Sequence, residues 1–269
     1  MGGNPLDPRR RGLHDPPVDR ALASAVAHRW HPVAAPVSDE SVSRLLDRLE
    51  LSAGSRVLDL GCGPGEWLFR ALEAVPGSSG VGVDTSAPAL EVARAGADRR
   101  GLAGRVELVA ADASSWRSGG AGFDAVLCVG VGHVFGGPAG TLATVARHLA
   151  PGGRVLLGDG FWEGSPDAAT LEALEATPDE LDDLPELVES AVQAGFEPGW
   201  GHVSSAEEWD DYEWSWTGAL AEWALTEARG PDAAEALELA RAHRRGWLGG
   251  YRGRLGFLTV VLRPAGAPG

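Results

Sequence analysis

The sequence predicts an α/β protein with a doubly wound, mostly parallel sheet. Three observations carry that expectation. Short apolar runs alternate with stretches of helical apolar spacing from about residue 56 to residue 158, the trace that right-handed crossovers between parallel strands leave in a chain. The first run, Val57-Leu58-Asp59-Leu60, passes into a glycine turn, Gly61-Cys62-Gly63-Pro64-Gly65, and a helical pattern starts directly after it. The next two runs each end on an aspartate, Asp84 and Asp112.

The elements follow in order. Residues 1–20 are rich in Pro, Gly, Asp and Arg with little periodicity and read as a flexible tail. A helical cap is expected over 21–53: one helix over 21–30, broken by His31-Pro32 and Pro36, and a second reaching about residue 50 with Ser38 as its N-cap. The α/β core is expected over 54–203 and again over 255–263, with strands at 56–60, 79–84, 106–110, 123–129, 154–158, 196–203 and 255–262. Helical patterns fall between them at 66–75, 87–100, 138–149, 167–176 and 184–194. Residues 204–254, dominated by Ala, Glu, Leu and Trp and divided by Pro231, read as a helical lid inserted before the last strand and packed over the sheet's carboxyl edge.

Composition narrows the partners. The 269 residues hold 23 basic and 38 acidic side chains, a formal charge of -15, which repels phosphate backbones and anionic headgroups. Neither nucleic acid nor a membrane is therefore an expected partner; a small molecule is. Every basic residue is an arginine, so no lysine base or Schiff base is available. Two cysteines, Cys62 and Cys128, lie in segments that read as interior and cannot form a disulfide framework. With no apolar run of signal-peptide or membrane-spanning length, a soluble cytoplasmic protein is expected, a monomer or homodimer, with no metal.

The glycine turn indicates the kind of ligand. Glycines there let the backbone approach a bound nucleoside without a β-carbon in the way. A dinucleotide turn, G-x-G-x-x-G, would place its third glycine at position 66, where this chain has Glu66. A carboxylate at a helix start competes for the amides that a pyrophosphate needs and repels the anion, so the turn suits a ligand without phosphates. Asp84, closing the second strand, can accept from both hydroxyls of a ribose. Asp112, closing the third among small neighbours, can accept from an adenine amino group.

Three strand ends in this order resemble the class I S-adenosylmethionine-dependent methyltransferases, over roughly residues 55–157 and the last strand. The resemblance implies a seven-stranded sheet of the Rossmann-like methyltransferase fold with an antiparallel final strand. It also implies S-adenosylmethionine as cofactor and S-adenosylhomocysteine as product. Asp59, Gly61, Gly63 and Gly65 would then hold the methionine portion, Asp84 the ribose, and Asp112 with Ala113 the adenine. Cys62, Thr85 and Cys128 complete the expected cofactor set. Leu149-Ala150-Pro151-Gly152-Gly153-Arg154-Val155 resembles the family's turn into the fifth strand.

The methyl acceptor should face the loop after the fourth strand, since ligands of open α/β sheets lie at the strands' carboxyl ends. His133 is the one titratable residue of that glycine-rich loop and the leading base candidate; a histidine that merely satisfies backbone groups is the alternative. Asp159 after the fifth strand is the second catalytic candidate, as an acid that orients the acceptor, with Trp162 walling the pocket. His31 would fold over the cofactor, and Tyr212, Trp214, Trp216 and Tyr251 of the insertion would line an aromatic pocket. The expected substrate set is thus His31, Trp162, Tyr212, Trp216 and Tyr251. His243-Arg244-Arg245 reads either as an anchor for an acidic group or as a solvated helix face. The expected reaction is in-line methyl transfer to an oxygen or nitrogen of a small metabolite. A cyclisation, an aminocarboxypropyl transfer and a non-catalytic cofactor-binding protein remain open alternatives.

Overall fold

The structure, a computed structural model, describes residues 20–266. The expected flexible tail lies, but for its last residue, outside the described residues. In chain order the elements are α1 (Arg20–Ala27), α2 (Asp39–Asp47), β1 (Arg56–Leu60), α3 (Glu66–Ala74), β2 (Ser79–Asp84), α4 (Ala87–Arg99), β3 (Val106–Ala110), β4 (Phe123–Val129), α5 (Pro138–Ala146), β5 (Leu149–Trp162), α6 (Ala168–Leu174), α7 (Leu184–Gln193), β6 (Phe196–Val203), α8 (Ala206–Thr226), α9 (Pro231–Gly246) and β7 (Leu255–Pro264). Among the described residues they form two compact units: a sheet unit of residues 38–161, 182–203 and 257–266, and a helical unit of residues 20–37, 162–181 and 204–256.

In the sheet unit seven strands run in the order β3-β2-β1-β4-β5-β7-β6. β1 pairs in parallel with both β2 and β4, β2 with β3, and β4 with β5, while β6 and β7 are antiparallel. The chain thus leaves β1 toward one edge and returns on its other side, which opens a crevice at the carboxyl ends of β1 and β4. Strands buried on both faces read as continuous apolar runs, and Val57, Leu58, Leu60, Val126 and Leu127 are fully buried. Leu142 and Val145 of α5 and Leu187 and Ala191 of α7 join Leu58, Val126 and Val155 in one core.

Two glycines in β2 let α3 and the turn before it lie close. A Cβ on Gly80 would sit 2.5 Å from Leu68 Cδ1, and one on Gly82 would sit 2.8 Å from Cys62 Sγ. At the head of α3, Glu66 is buried, with a side chain 10% exposed, and it accepts from Arg70 at 2.7 Å and from Arg100 at 2.6 Å. Arg70 also reaches Asp39 on α2 at 2.6 Å. Glu66 thus joins α3 to the end of α4, and Arg70 carries the tie on to α2.

β5 begins five residues earlier than the apolar run at 154–158 indicates. Pro151-Gly152-Gly153 does not interrupt it, because Gly152 takes φ +80° and the register against β4 shifts between Phe123 and Ala125. A bulge of this kind absorbs extra residues without ending the strand.

The helical unit packs on alanines: Ala23 and Val26 of α1, Leu220 and Ala224 of α8, and Ala236 and Ala240 of α9 form its core. Ser205 and Glu208 make a reciprocal capping box at the start of α8, and Pro231 starts α9 at a position that needs no amide. A π-helical turn, Trp247–Tyr251, follows α9. Gly250 there comes so near α6 that a Cβ would lie 2.5 Å from Ala173 Cβ. This unit differs from the insertion read at 204–254: it takes residues 20–37 from the expected cap and 162–181 from the expected core. Those three pieces meet only in space, and no local pattern marks their association.

Glu66→Ala is expected to lower the urea midpoint by the equivalent of about 2–3 kcal/mol, because two partly buried guanidinium groups lose their shared acceptor. Equilibrium unfolding followed by tryptophan fluorescence measures it.

Candidate active site

The turn after β1 is held open by backbone conformation. Gly61, Gly63 and Gly65 take φ of +75°, +50° and +85°, where a side chain is strained. At Gly65 space demands glycine as well, since a Cβ would meet the Phe69 ring at 2.6 Å. Gly61 faces the loop after β4, and a Cβ there would lie 2.7 Å from Val131 Cγ1.

Asp84 pins this turn to the end of β2. Its Oδ2 accepts from the Gly63 amide and its Oδ1 from the Ser86 amide, both at 2.8 Å. Each oxygen keeps a second lone pair, so the carboxylate can still accept from a ligand's two hydroxyls. Thr85, beside it, is exposed.

Asp59 is 4% exposed. It accepts from the Leu68 amide, yet its Oδ2 has no partner among the described residues. Burial, and the nearby Asp84 charge, push its pKa up to about 7. A buried carboxylate oxygen behind a glycine turn calls for a cationic donor, and the ammonium of a methionine fits it. With Asp59, Asp84 and Glu66 around the turn, a phosphate would meet three acids.

Asp112 is exposed at the end of β3, and its Oδ1 accepts from the Ser114 amide at 2.8 Å and the Ser114 hydroxyl at 2.7 Å. These bonds hold its carboxyl below the usual range. Oδ2 is left to face outward as an acceptor. Ala113, Cys62 and Cys128 are buried, and burial raises both thiols well above their ordinary pKa, so the cysteines are neutral packing groups.

The two catalytic candidates come from neighbouring strand ends. His133 lies part-buried in a 3₁₀ turn, Gly132–Phe135, directly after β4. Asp159, 6% exposed on β5, accepts from the Gly160 amide at 2.9 Å. Its other oxygen abuts Gly132, where a Cβ would be only 2.1 Å away. Desolvation pushes Asp159 up to about 7 as well.

The expected substrate residues all fall in the helical unit. Trp162 is buried and donates its indole N–H to the Pro178 carbonyl at 2.9 Å, so it packs as structure. His31 stands edge-on to Tyr212, ring centroids 5.2 Å apart, and its Nδ1 contacts the Val33 carbonyl at 2.7 Å. The Tyr212 hydroxyl meets His28 Nε2 at 3.2 Å, and burial lowers the pKa of His28. Trp216 stacks on His243 at 4.0 Å. Tyr251 donates to Glu213 at 2.7 Å, and His243 contacts the other oxygen of Glu213 at 2.7 Å. Trp214 is half exposed beside Trp247.

Of the run read as either an anchor or a solvated face, Arg245 pairs with exposed Glu238 whereas His243 turns inward. Glu213 and His28 were not legible as site residues. The signal for Glu213 was its spacing, which puts an acid on the same face as Trp209, Trp216 and Leu220.

A family model described as a methyltransferase domain matches residues 57–153, from β1 into β5. The nocamycin O-methyltransferase of Saccharothrix syringae is 32% identical over 263 residues, 83% of this chain and 91% of its own. The chain belongs to the class I S-adenosylmethionine-dependent methyltransferases. A methyltransferase of Thiobacillus denitrificans, solved in complex with S-adenosylhomocysteine, is 30% identical with a TM-score of 0.79, over 89% of this chain and 96% of that one. One from Geobacter sulfurreducens, also with S-adenosylhomocysteine, is 28% identical with a TM-score of 0.81, over 93% and 100%. This methyltransferase has, among the described residues, no helix long and apolar enough to cross a membrane.

Two pH effects follow from the buried acids. Below about 7 the free methyltransferase holds a proton on Asp59, which an ammonium seated against that carboxylate would displace. Affinity for S-adenosylhomocysteine is therefore expected to fall as pH drops from about 8 to 5, approaching about tenfold per unit. Calorimetry in two buffers of different ionisation heat will read the released proton, and Asp59→Asn will abolish this component. Asp159, protonated up to about 7 in the folded state, ionises near 4 when unfolded. Folding is thus penalised progressively as pH rises through that window. Asp159→Asn is expected to gain on the order of 1–3 kcal/mol at pH 8 and little at pH 4, read from thermal melts.

Proposed function

We propose that this methyltransferase methylates an oxygen or nitrogen of a small metabolite in the cytoplasm, with His133 as proton acceptor and Asp159 as the group that orients the acceptor. The observation carrying the reading is the meeting of Asp159 with Gly132, the residue before His133, at the crevice beside the glycine turn. S-adenosylmethionine supplies an electrophilic sulfonium methyl. Asp59 and the turn from Gly61 to Gly65 would hold its amino-acid end, Asp84 would accept from the ribose hydroxyls, and Oδ2 of Asp112 would accept from the adenine amino group.

The rest of the chemistry belongs to the side chains around the acceptor. A histidine beside a reacting hydroxyl or amine takes its proton near neutral pH. The part-buried loop excludes water and limits the acceptor to a productive angle. The similarity to the nocamycin O-methyltransferase supports oxygen as the acceptor atom. The charge of -15 supports a small neutral or cationic molecule over a polynucleotide.

Calorimetry tests the cofactor half: S-adenosylhomocysteine is expected to bind in the micromolar range and at least about tenfold more weakly to Asp84→Ala, which loses its hydroxyl acceptor. Absence of binding to both proteins would overturn the reading. Turnover with hydroxylated aromatics and amines is expected to release S-adenosylhomocysteine; methylthioadenosine would instead mark another sulfonium bond as the one broken. His133→Ala is expected to lower kcat by about 10²–10⁴ and to leave cofactor affinity unchanged.

A further inference from the structure

The helical unit carries an open groove that the methyl-transfer reading does not use. Trp30 and Trp214 border it, and Ser215, Gly218, Ala219 and Glu222 complete its lining, around a space of about 410 Å³, enough for a small molecule. Every one of these residues belongs to the helical unit.

α8 builds the floor by spacing. Trp214, Gly218 and Glu222 recur every four residues and so lie along one face of the helix. Gly218 is the gap between the other two: a Cβ there would meet nothing within 4 Å. No neighbour demands glycine at this position, and in a helix interior glycine costs stability relative to alanine. What the missing side chain provides is depth in the groove.

Trp30 is fastened to the same helix on both sides along the chain. Arg29, just before it, donates to Glu227 at the end of α8 at 2.6 and 3.4 Å. His31, just after it, stands edge-on to Tyr212 of α8 at 5.2 Å. The position of Trp30 is thus set before a ligand arrives, which lowers the ordering cost of binding. Even so, Trp30 is 72% exposed and Trp214 51%. Two large aromatic side chains left in water beside one cavity mark a binding surface.

The charge of the groove selects the ligand. Arg29 is neutralised by Glu227, whereas Glu222 is exposed and makes no ion pair among the described residues. An indole face is the negative part of the ring quadrupole and attracts a cation. Arg244 already stands over Trp214, 6.0 Å from the ring centroid, but does not line the groove. Two indoles and one unpaired carboxylate suit a small organic cation whose charge is spread over methyl groups, since its carbons pack on the rings while its charge meets Glu222. An anionic ligand would meet an acid instead, on a chain of formal charge -15.

We propose that this groove binds a quaternary or methylated ammonium compound, held by Trp30 and Trp214 with Glu222 as its counter-ion. The groove is assigned no part in methyl transfer, so the site stands or falls apart from the function proposed above.

Choline is the probe, and 3,3-dimethylbutanol, in which carbon replaces the charged nitrogen, is its neutral control. Titrated into the full chain labelled with ¹⁵N at tryptophan, choline is expected to shift the indole signals of Trp30 and Trp214 saturably. It is expected to bind at least about tenfold more tightly than the alcohol. Trp30→Ala and Glu222→Gln are each expected to weaken choline by about threefold or more, with S-adenosylhomocysteine affinity and the thermal midpoint unchanged. Gly218→Gln introduces a better helix former, so the fold is kept while the new side chain fills the floor; choline binding is expected to be lost. Absence of a saturable shift at the two indoles would overturn the proposal. So would equal affinity for choline and the alcohol, or choline binding indifferent to Glu222→Gln and Gly218→Gln. Indole shifts that follow protein concentration rather than choline would overturn it as well, by marking the groove as an interface between two copies of this chain.

Discussion

The carboxyl edge of the sheet depends on one hydrogen bond, from the Gly63 amide to Asp84 Oδ2 at 2.8 Å. It fastens the turn after β1 to the end of β2, while the Ser86 amide holds the other oxygen. Beside it the turn has the Gly61 and Cys62 amides, which reach the Val83 carbonyl, and the Gly65 amide, which donates back to Cys62 at 2.8 Å; none of these holds the Gly63 amide itself. Several other features exist to let the turn close. Gly80 and Gly82 leave room for Leu68 and Cys62, Gly65 leaves room for Phe69, and Gly61 leaves room for Val131. The carboxylate that shapes the turn is also the one proposed to accept from the ribose, so in that reading binding and architecture share one group.

Four buried acids show how the protein separates structure from chemistry. Glu66 and Glu213 are each given two partners, Arg70 and Arg100 for the first, Tyr251 and His243 for the second. Asp59 and Asp159 each keep a single backbone amide and are driven up to about 7. Fully partnered acids hold elements together. Under-partnered ones store a penalty that a ligand can relieve, the usual balance between stability and activity. The two under-partnered acids stand at the ends of β1 and β5, on either side of β4 in the sheet.

The helical unit follows a different logic. Its core is mostly alanine, which lets helices approach closely but contributes little apolar area per residue. Aromatic residues and a buried polar network supply the specificity that alanines cannot. A satisfied polar network imposes a unique arrangement more strongly than interchangeable apolar contacts do.

Sequence alone determined the order and type of nearly every element, the glycine turn and the acids at the ends of β1, β2 and β3. Those features arise within a few consecutive residues, where hydrophobic period, glycine placement and capping side chains act locally. Val106–Ala110, Phe123–Val129 and Phe196–Val203 match the apolar runs residue for residue. Tertiary structure decided the rest. The association of residues 20–37, 162–181 and 204–256, the passage of β5 through Pro151-Gly152-Gly153, and the pairing of Glu213 with His243 and Tyr251 all join positions whose own neighbourhoods favour something else. An acid on a helix reads as solvated until the fold supplies its donors. The physical reason is that burial, and hence the state of a charge, belongs to the packed assembly rather than to the residue.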